Sequence, residues 1–338
     1  MNSAATPAGM GRIVTLTPNP SIDRTIMLDG PLVRGSVQRA DSSFFQAGGK
    51  GVNISRACLA AGVSTTAVLP AAPEDPFSLE LTASEIPSRL IAPDGMVRVN
   101  LTITEPDGTT TKLNSPGAVA TPATLEALAT ALHDAATDAA WVVLAGSLPP
   151  GAPAGWYAEL VGDLRTLTRV AVDTSDEPLT ALVAQLSPDT APHLMKPNGD
   201  ELASFTGADA AELEADPRAA AAAARTLVDA GVAEVLATLG GHGAVLVNAE
   251  GAWHATPPPI DVVSTVGAGD SSLFGYLLGG LRGYAPAERL ALAVAYGSAA
   301  ASLPGTTIPT PEQTRPDLVV VRDLATSTTG TTTDTTGV

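Results

Sequence analysis

The chain has 338 residues, enough for one large domain with a small accessory piece. Its 35 acidic and 18 basic side chains leave a net charge of −17, which repels nucleic acid and anionic lipid and excludes both as expected partners. With 45% hydrophobic and 16% charged residues it can build a core, which excludes general disorder. Cys58 stands alone, so an intrachain disulfide and a cysteine-built zinc site are excluded, and a buried, inert thiol is expected.

Residues 1–11 lack the basic region and apolar core of a signal peptide. No stretch of about 18 apolar residues is free of charge or turn signals. A soluble, cytoplasmic protein is expected. The first strand is Ile13-Val14-Thr15-Leu16, stopped at Pro18. Further apolar runs follow at 65–69, 141–144, 170–172, 235–236 and 244–247. Helix-like segments lie between and after them at 52–61, 122–136, 156–164, 216–230, 268–283 and 286–301. This alternation predicts an α/β fold, with a mostly parallel sheet covered by helices on both faces. Two extended, partly polar segments, about 30–45 and 96–114, interrupt it. Glu105-Pro106-Asp107-Gly108 marks a hairpin in the second. They predict a small separate sheet, acting as a lid, an interface, or both.

Four motifs carry chemistry. In Val266-Gly267-Ala268-Gly269-Asp270, two glycines leave amides unobstructed at a helix start, which makes an anion site. Asp270 at its mouth suits a base that takes a proton from a hydroxyl attacking phosphate; as a bland alternative it is a helix N-cap. In Gly48-Gly49-Lys50-Gly51-Val52-Asn53, glycines around a lysine open a helix. The stretch is neither a Walker A loop nor a dinucleotide fingerprint, and reads as close approach to a polar ligand or as a plain turn. In Lys196-Pro197-Asn198-Gly199-Asp200-Glu201, an amide and a carboxylate three apart suit hydrated Mg²⁺ beside nucleotide phosphates, or a capping box. Thr238-Leu239-Gly240-Gly241-His242-Gly243 fits a flat base and is weak alone. The chain has only three lysines, and Lys50 and Lys196 fall inside these motifs.

Together and in this order, the motifs resemble those of the PfkB-type sugar kinases, the ribokinase-like superfamily. Thr17-Pro18-Asn19-Pro20-Ser21-Ile22-Asp23 resembles the family's opening sugar-binding stretch, and 142–151 its central strand-to-loop motif. The similarity covers about residues 12–315. Residues 98–117 and 261–271 are most similar to the branch that phosphorylates fructose 1-phosphate at its 6-hydroxyl with ATP. The resemblance implies a ribokinase-like domain over 12–322 with a β-sheet lid, after an extension over 1–11; the Thr/Gly-rich tail over 323–338 is expected to be disordered from its composition. It implies Asp270 as catalytic base, with Gly267, Ala268 and Gly269 as anion hole. It assigns Asp23, Arg39, Gly48, Gly49, Lys50, Asn53, Arg98 and Ser147 to the phosphosugar, with Arg39 and Arg98 on its phosphate. Lys196, Asn198, Thr238, Gly240 and Gly243 go to ATP, and Glu201 to Mg²⁺. A homodimer through the lid is implied as well. Tagatose 6-phosphate or fructose 6-phosphate kinases of the same family are alternatives, and a non-catalytic sugar-phosphate sensor is one from another class. One departure stands out: a Gly-x-x-Gly-x-Asp-x-x-Gly stretch common in the family is replaced by Leu-Pro-Ala-Ala-Pro-Glu-Asp-Pro-Phe at 69–77.

Overall fold

The computed structural model describes residues 11–324. Strand β1 (Arg12–Leu16) leads to β2 (Ser21–Leu28) and β3 (Ala40–Gly48), then helix α1 (Lys50–Ala60), β4 (Thr65–Pro70), α2 (Pro76–Ala83) and β5 (Ser88–Ile91). The hairpin of β6 (Arg98–Thr104) and β7 (Thr110–Asn114) precedes α3 (Pro122–Ala136), β8 (Ala139–Ala145), α4 (Trp156–Leu164), β9 (Arg169–Asp173) and α5 (Asp176–Ala184). Then come β10 (Leu194–Met195), α6 (Gly199–Thr206), α7 (Ala210–Ala215), α8 (Pro217–Asp229), β11 (Glu234–Thr238), β12 (Ala244–Asn248) and β13 (Ala252–Thr256). The last elements are α9 (Ala268–Leu281), α10 (Pro286–Ala301) and β14 (Val320–Asp323).

Ten strands form one sheet in the order β14-β13-β12-β11-β10-β9-β8-β1-β4-β5. It is parallel from β5 to β11 and antiparallel beyond. Trp141 to Ala145 on β8 are all buried, as a strand covered on both faces requires. One core layer packs α3, α4 and α8 against the sheet; the other packs α1, α9 and α10. Helix α9 is apolar nearly all round because it lies beneath α10, where the Phe274 and Tyr296 rings meet edge to face at 5.2 Å. Cys58 is fully buried there, and burial pushes its thiol up to about 12, as an inert cysteine requires.

After β1 the chain winds outward to β4 and β5, then returns to place β8 on the other side of β1. The strand order reverses there, and in such sheets ligands bind outside the carboxyl ends of the strands. Above that edge sits a second sheet, β3-β2-β6-β7. It takes in β2, which the sequence offered only as a sugar-binding stretch. Of the segment expected at 30–45, only Ala40 onward is strand, and Leu32 to Arg39 form an exposed loop. The Glu105–Gly108 turn closes β6 and β7, with the Gly108 amide donating to the Glu105 carbonyl.

Strand β14 pairs Asp323 with Trp253, so regular structure runs past the limit set at 322. Residues 1–10 of the expected extension, and the tail from 325 on, lie outside the described residues. The departing stretch at 69–77 is built around Asp75. Its carboxylate caps α2 through the Phe77 amide and accepts from the Val97 amide, anchoring the strand that carries Arg98. Among the described residues no helix is long and apolar enough to cross a membrane.

Candidate active site

A cleft of about 1020 Å³ runs along the carboxyl edge of the large sheet beneath the small one. Its walls come from the residues just past β1 (Thr17, Asn19), β8 (Gly146, Ser147), β9 (Ser175) and β10 (Lys196, Asn198), and from Thr238 at the end of β11. Of the residues singled out in the sequence, it also takes in Asp23, Gly49, Lys50, Asn53, Arg98, Gly240, Gly243 and the run from Gly267 to Asp270.

The N-termini of α1 and α9 meet at its centre. Gly267 caps α9 with φ of 79°, a left-handed conformation that glycine adopts without strain, and it has no side chain to bond the first amides of the helix. The Ala268 amide donates to the Thr265 carbonyl at 3.3 Å, which leaves the Gly269 and Asp270 amides, with the helix dipole, at the cleft. Lys196 Nζ lies 3.4 Å from where a Cβ on Gly269 would sit, so a cation flanks the same spot. Asp270 is the third residue of the helix, which removes the N-cap reading. It is buried, and its Oδ2 accepts from Asn53 Nδ2 at 2.8 Å. Burial raises the Asp270 pKa above the ordinary aspartate value; Lys50 opposes this, Asp173 adds to it, and the Asn53 hydrogen bond opposes it.

The sequence reading missed Asp173. This fully buried carboxylate ends β9, with Oδ1 2.6 Å from Lys50 Nζ and Oδ2 3.3 Å from Lys196 Nζ. Burial disfavours its charged form, but Lys196 and Lys50 outweigh that and hold its pKa below the ordinary value. Burial likewise works against the Lys50 ammonium, yet Asp173, Asp270 and Glu201 hold it above the usual lysine value. An aspartate closing the buried Val170-Ala171-Val172 run was the available signal.

At the small-sheet end, Asp23 on β2 and Asn100 on β6 are register partners, and Asn100 donates to Asp23 Oδ1 at 3.0 Å. A Cβ on Gly48 would sit 2.2 Å from Asp23 Oδ2, so Gly48 is a clearance for that carboxylate behind the cleft wall. Thr17 Oγ1, Arg98 Nε and Asn100 Oδ1 are buried without partners, although each residue lines the cleft. Buried polar atoms of this kind call for a polar ligand. Thr17 opens the stretch that resembles a sugar-binding one but had no role of its own in the sequence, and Asn100's place opposite Asp23 was not visible without the register.

Two expected positions differ. Arg39 is exposed just before β3, whose other end, Gly48, is at the site; nine extended residues put it roughly 30 Å along the strand. It does not line the cleft. Glu201 and Asn198 form the capping box: Asn198 Oδ1 accepts from the Glu201 amide at 2.7 Å, and Glu201 Oε2 from the Asn198 amide at 2.9 Å. Burial raises the Glu201 pKa, with Lys196 opposing. The metal donor foreseen there keeps only Oε1 outside that box.

The sequence pattern of the pfkB family carbohydrate kinases matches residues 16–313. The chain belongs to this family. It is 36% identical over 307 residues to a 1-phosphofructokinase of Rhodobacter capsulatus, covering 89% of this chain and 94% of that one. It is 34% identical over 294 residues to the 1-phosphofructokinase of Escherichia coli K12, covering 86% and 91%. Among solved structures, phosphofructokinase-2 from Escherichia coli in complex with fructose-6-phosphate superposes with a TM-score of 0.78 at 29% identity, covering 86% and 94%. The ribokinase-like architecture expected from the sequence is therefore this pfkB kinase's fold, and its chemistry is phosphoryl transfer to a carbohydrate.

Proposed function

We propose that the protein is a 1-phosphofructokinase, which transfers the γ-phosphoryl group of ATP to the 6-hydroxyl of fructose 1-phosphate. The observation that carries the reading is Asp270, held by Asn53 at a helix N-terminus that no side chain caps, with Lys196 alongside. The sugar phosphate occupies the small-sheet end, with hydroxyls on Asp23, Asn100 and Asn53. Its phosphate meets Arg98 and the Ser147 loop, since the exposed Arg39 is too far along its strand to help within one chain. The nucleotide occupies the end built by Lys196, Asn198, Thr238, Gly240 and Gly243.

As the 6-oxygen bonds to the γ-phosphorus, the bond from that phosphorus to the bridging oxygen breaks and ADP leaves. Asp270 takes the hydroxyl proton. The Gly269 and Asp270 amides and Lys196 face the developing charge. Among the described residues, no group of three or more acidic, His or Cys side chains could cage a metal. Glu201 does not itself line the cleft, so its one oxygen outside the capping box would hold a magnesium ion only through the ion's waters, with the triphosphate as main ligand. When bound there, Mg²⁺ would neutralise phosphate charge.

A second reading, a 6-phosphofructokinase, is favoured by the structural neighbour that holds fructose-6-phosphate. A furanose phosphate has near two-fold shape symmetry, so the same groups suit either isomer. Steady-state rates with ATP on fructose 1-phosphate, fructose 6-phosphate and tagatose 6-phosphate decide. The highest kcat/KM is expected for the first, and a higher value for either other sugar overturns the assignment. No turnover of any of the three would point instead to a non-catalytic sensor.

Arg98→Ala is expected to raise KM for the phosphosugar about tenfold, the worth of a charged hydrogen bond. KM for ATP should change little. Equal effects on both would assign Arg98 a structural role.

The protein is also proposed to be a homodimer through the small sheet. That sheet exposes Phe45 and Leu113, each more than half accessible and placed on one face by the register through Arg24 and Leu101, and such an apolar surface is costly on a monomer. Sedimentation should give twice the chain mass, and Phe45→Glu should halve it. A wild-type monomer refutes the proposal.

A further inference from the structure

Behind the cleft, an ion pair reaches the catalytic centre without touching the space that substrates fill. Arg56 lies one turn after Asn53 on α1. Its Nη2 donates to Glu80 on α2, at 3.3 Å to Oε1 and 3.1 Å to Oε2. Its Nη1 reaches Asn53 Oδ1 at 3.5 Å. Glu80 in turn accepts from the Ala47 amide of β3 at 2.8 Å and from Ser84 Oγ at 2.8 Å. Neither Arg56 nor Glu80 lines the cleft, whereas Asn53 and Asp270 do. The pair is largely shielded, with side-chain exposures of 15% and 21%.

We propose that Arg56, braced by Glu80, is a positioning residue for phosphoryl transfer: it fixes the Asn53 amide so that the NH₂ group faces Asp270. The inference rests on the reading of Asp270 as base. The chemistry at both ends allows one orientation. An ionised carboxylate only accepts, so it requires the amide nitrogen; a guanidinium only donates, so it requires the amide oxygen. Remove the guanidinium and the amide can turn its oxygen toward the Asp270 carboxylate, replacing a donated hydrogen bond with repulsion. Because Glu80 also holds the Ala47 amide, the base of the small sheet and the orientation of the catalytic carboxylate share one anchor. The departing stretch at 69–77 leads directly into the helix that supplies this anchor.

The pH dependence follows. Asp270 faces Asn53 and Lys50 from α1, Asp173 from β9, and Lys196 just past β10. Arg56 itself faces Glu80 and Asp23. With these groups unchanged, losing the Asn53 donation disfavours the charged carboxylate, which then protonates at higher pH.

The test uses Arg56→Gln and Glu80→Gln, each with Asn53→Ala and as the double variant. In Arg56→Gln, kcat is expected to fall about tenfold, as misplacement of a reacting group does, with KM for ATP within about twofold and a smaller rise in KM for the phosphosugar, whose hydroxyl Asn53 also holds. The acid limb of the kcat profile should move to higher pH. Glu80→Gln should move it the same way by less, and decides the matter if Arg56→Gln does not fold. In the Asn53→Ala background either substitution should lower kcat no further, because both act through that amide. An unmoved acid limb, or losses that add in the double variant, overturns the proposal. Asp270→Asn run alongside separates the two failures: if that variant keeps its rate, the base assignment falls, and if it loses its rate while the limb stays put, only the positioning role falls.

Discussion

Asp270→Asn is expected to lower kcat by roughly 10²- to 10⁴-fold, the worth of a positioned general base. The amide matches the carboxylate in shape and can still accept from Asn53 through its oxygen, but it cannot take a proton. Binding of both substrates should persist, with KM values close to wild type. Stability should hold as well, since burial disfavours the charged carboxyl and a neutral amide is free of that cost. The pH profile of the wild-type enzyme carries the same signature. As the proposed base Asp270 must be ionised to act, and burial raises its pKa above the ordinary aspartate value, so activity should fall on the acid side above the usual carboxylate range. Its effect on stability runs in the opposite direction. A carboxyl with a raised pKa in the folded state binds its proton before the unfolded chain does, so that contribution to stability grows as pH falls through the folded pKa. Opposite slopes of rate and melting temperature over that window would identify one group. A kcat for Asp270→Asn within about threefold of wild type would take the residue out of the mechanism.

Much of this site was legible before any coordinates, for local reasons. The Gly267–Asp270 run signals its own geometry, because two glycines before a helical pattern leave amides that nothing in the sequence can cap. The apolar runs of β1, β4, β8 and β9 announce a buried parallel sheet by composition alone, and the sheet's winding then brings their carboxyl ends together. What stayed hidden depends on groups far apart in the chain. Asp173 ends an ordinary strand, and its meaning lies in Lys50, 123 residues away. Asn100 gains its role only from the register that sets it opposite Asp23. Arg39 illustrates the converse: the family resemblance set it beside the substrate phosphate, but the extended strand β3 carries it away from the cleft of its own chain. Asn198 and Glu201 were readable in two ways, and the capping box that forms shows how the bland reading can restrict the functional one.

Asp173 also sets the largest expected change in stability. Its carboxylate is the shared counter-charge of two lysines: Lys196, whose side chain is 4% exposed, and Lys50, at 34%. An asparagine there offers one oxygen acceptor, so one ammonium faces an NH₂ group. Leaving a buried charge without its partner costs about 3–5 kcal/mol. For a domain of this size that lowers Tm by about 4–8 °C. The two lysines hold the Asp173 pKa below the ordinary value. The ion pairs therefore contribute fully above the unfolded-state pKa and are lost as pH falls through the folded one. Thermal melts of wild type and Asp173→Asn should accordingly converge on acidification and differ most near neutrality. On the proposed reading a bound triphosphate brings negative charge to Lys196, so ATP should raise the Tm of Asp173→Asn by more than it raises that of wild type. That excess separates a lost counter-charge from a simple packing defect, which ATP would not repair. A variant that melts within about 2 °C of wild type at neutral pH would mean the lysines find other compensation, and the buried carboxylate would lose its place as the centre of the site's charge network.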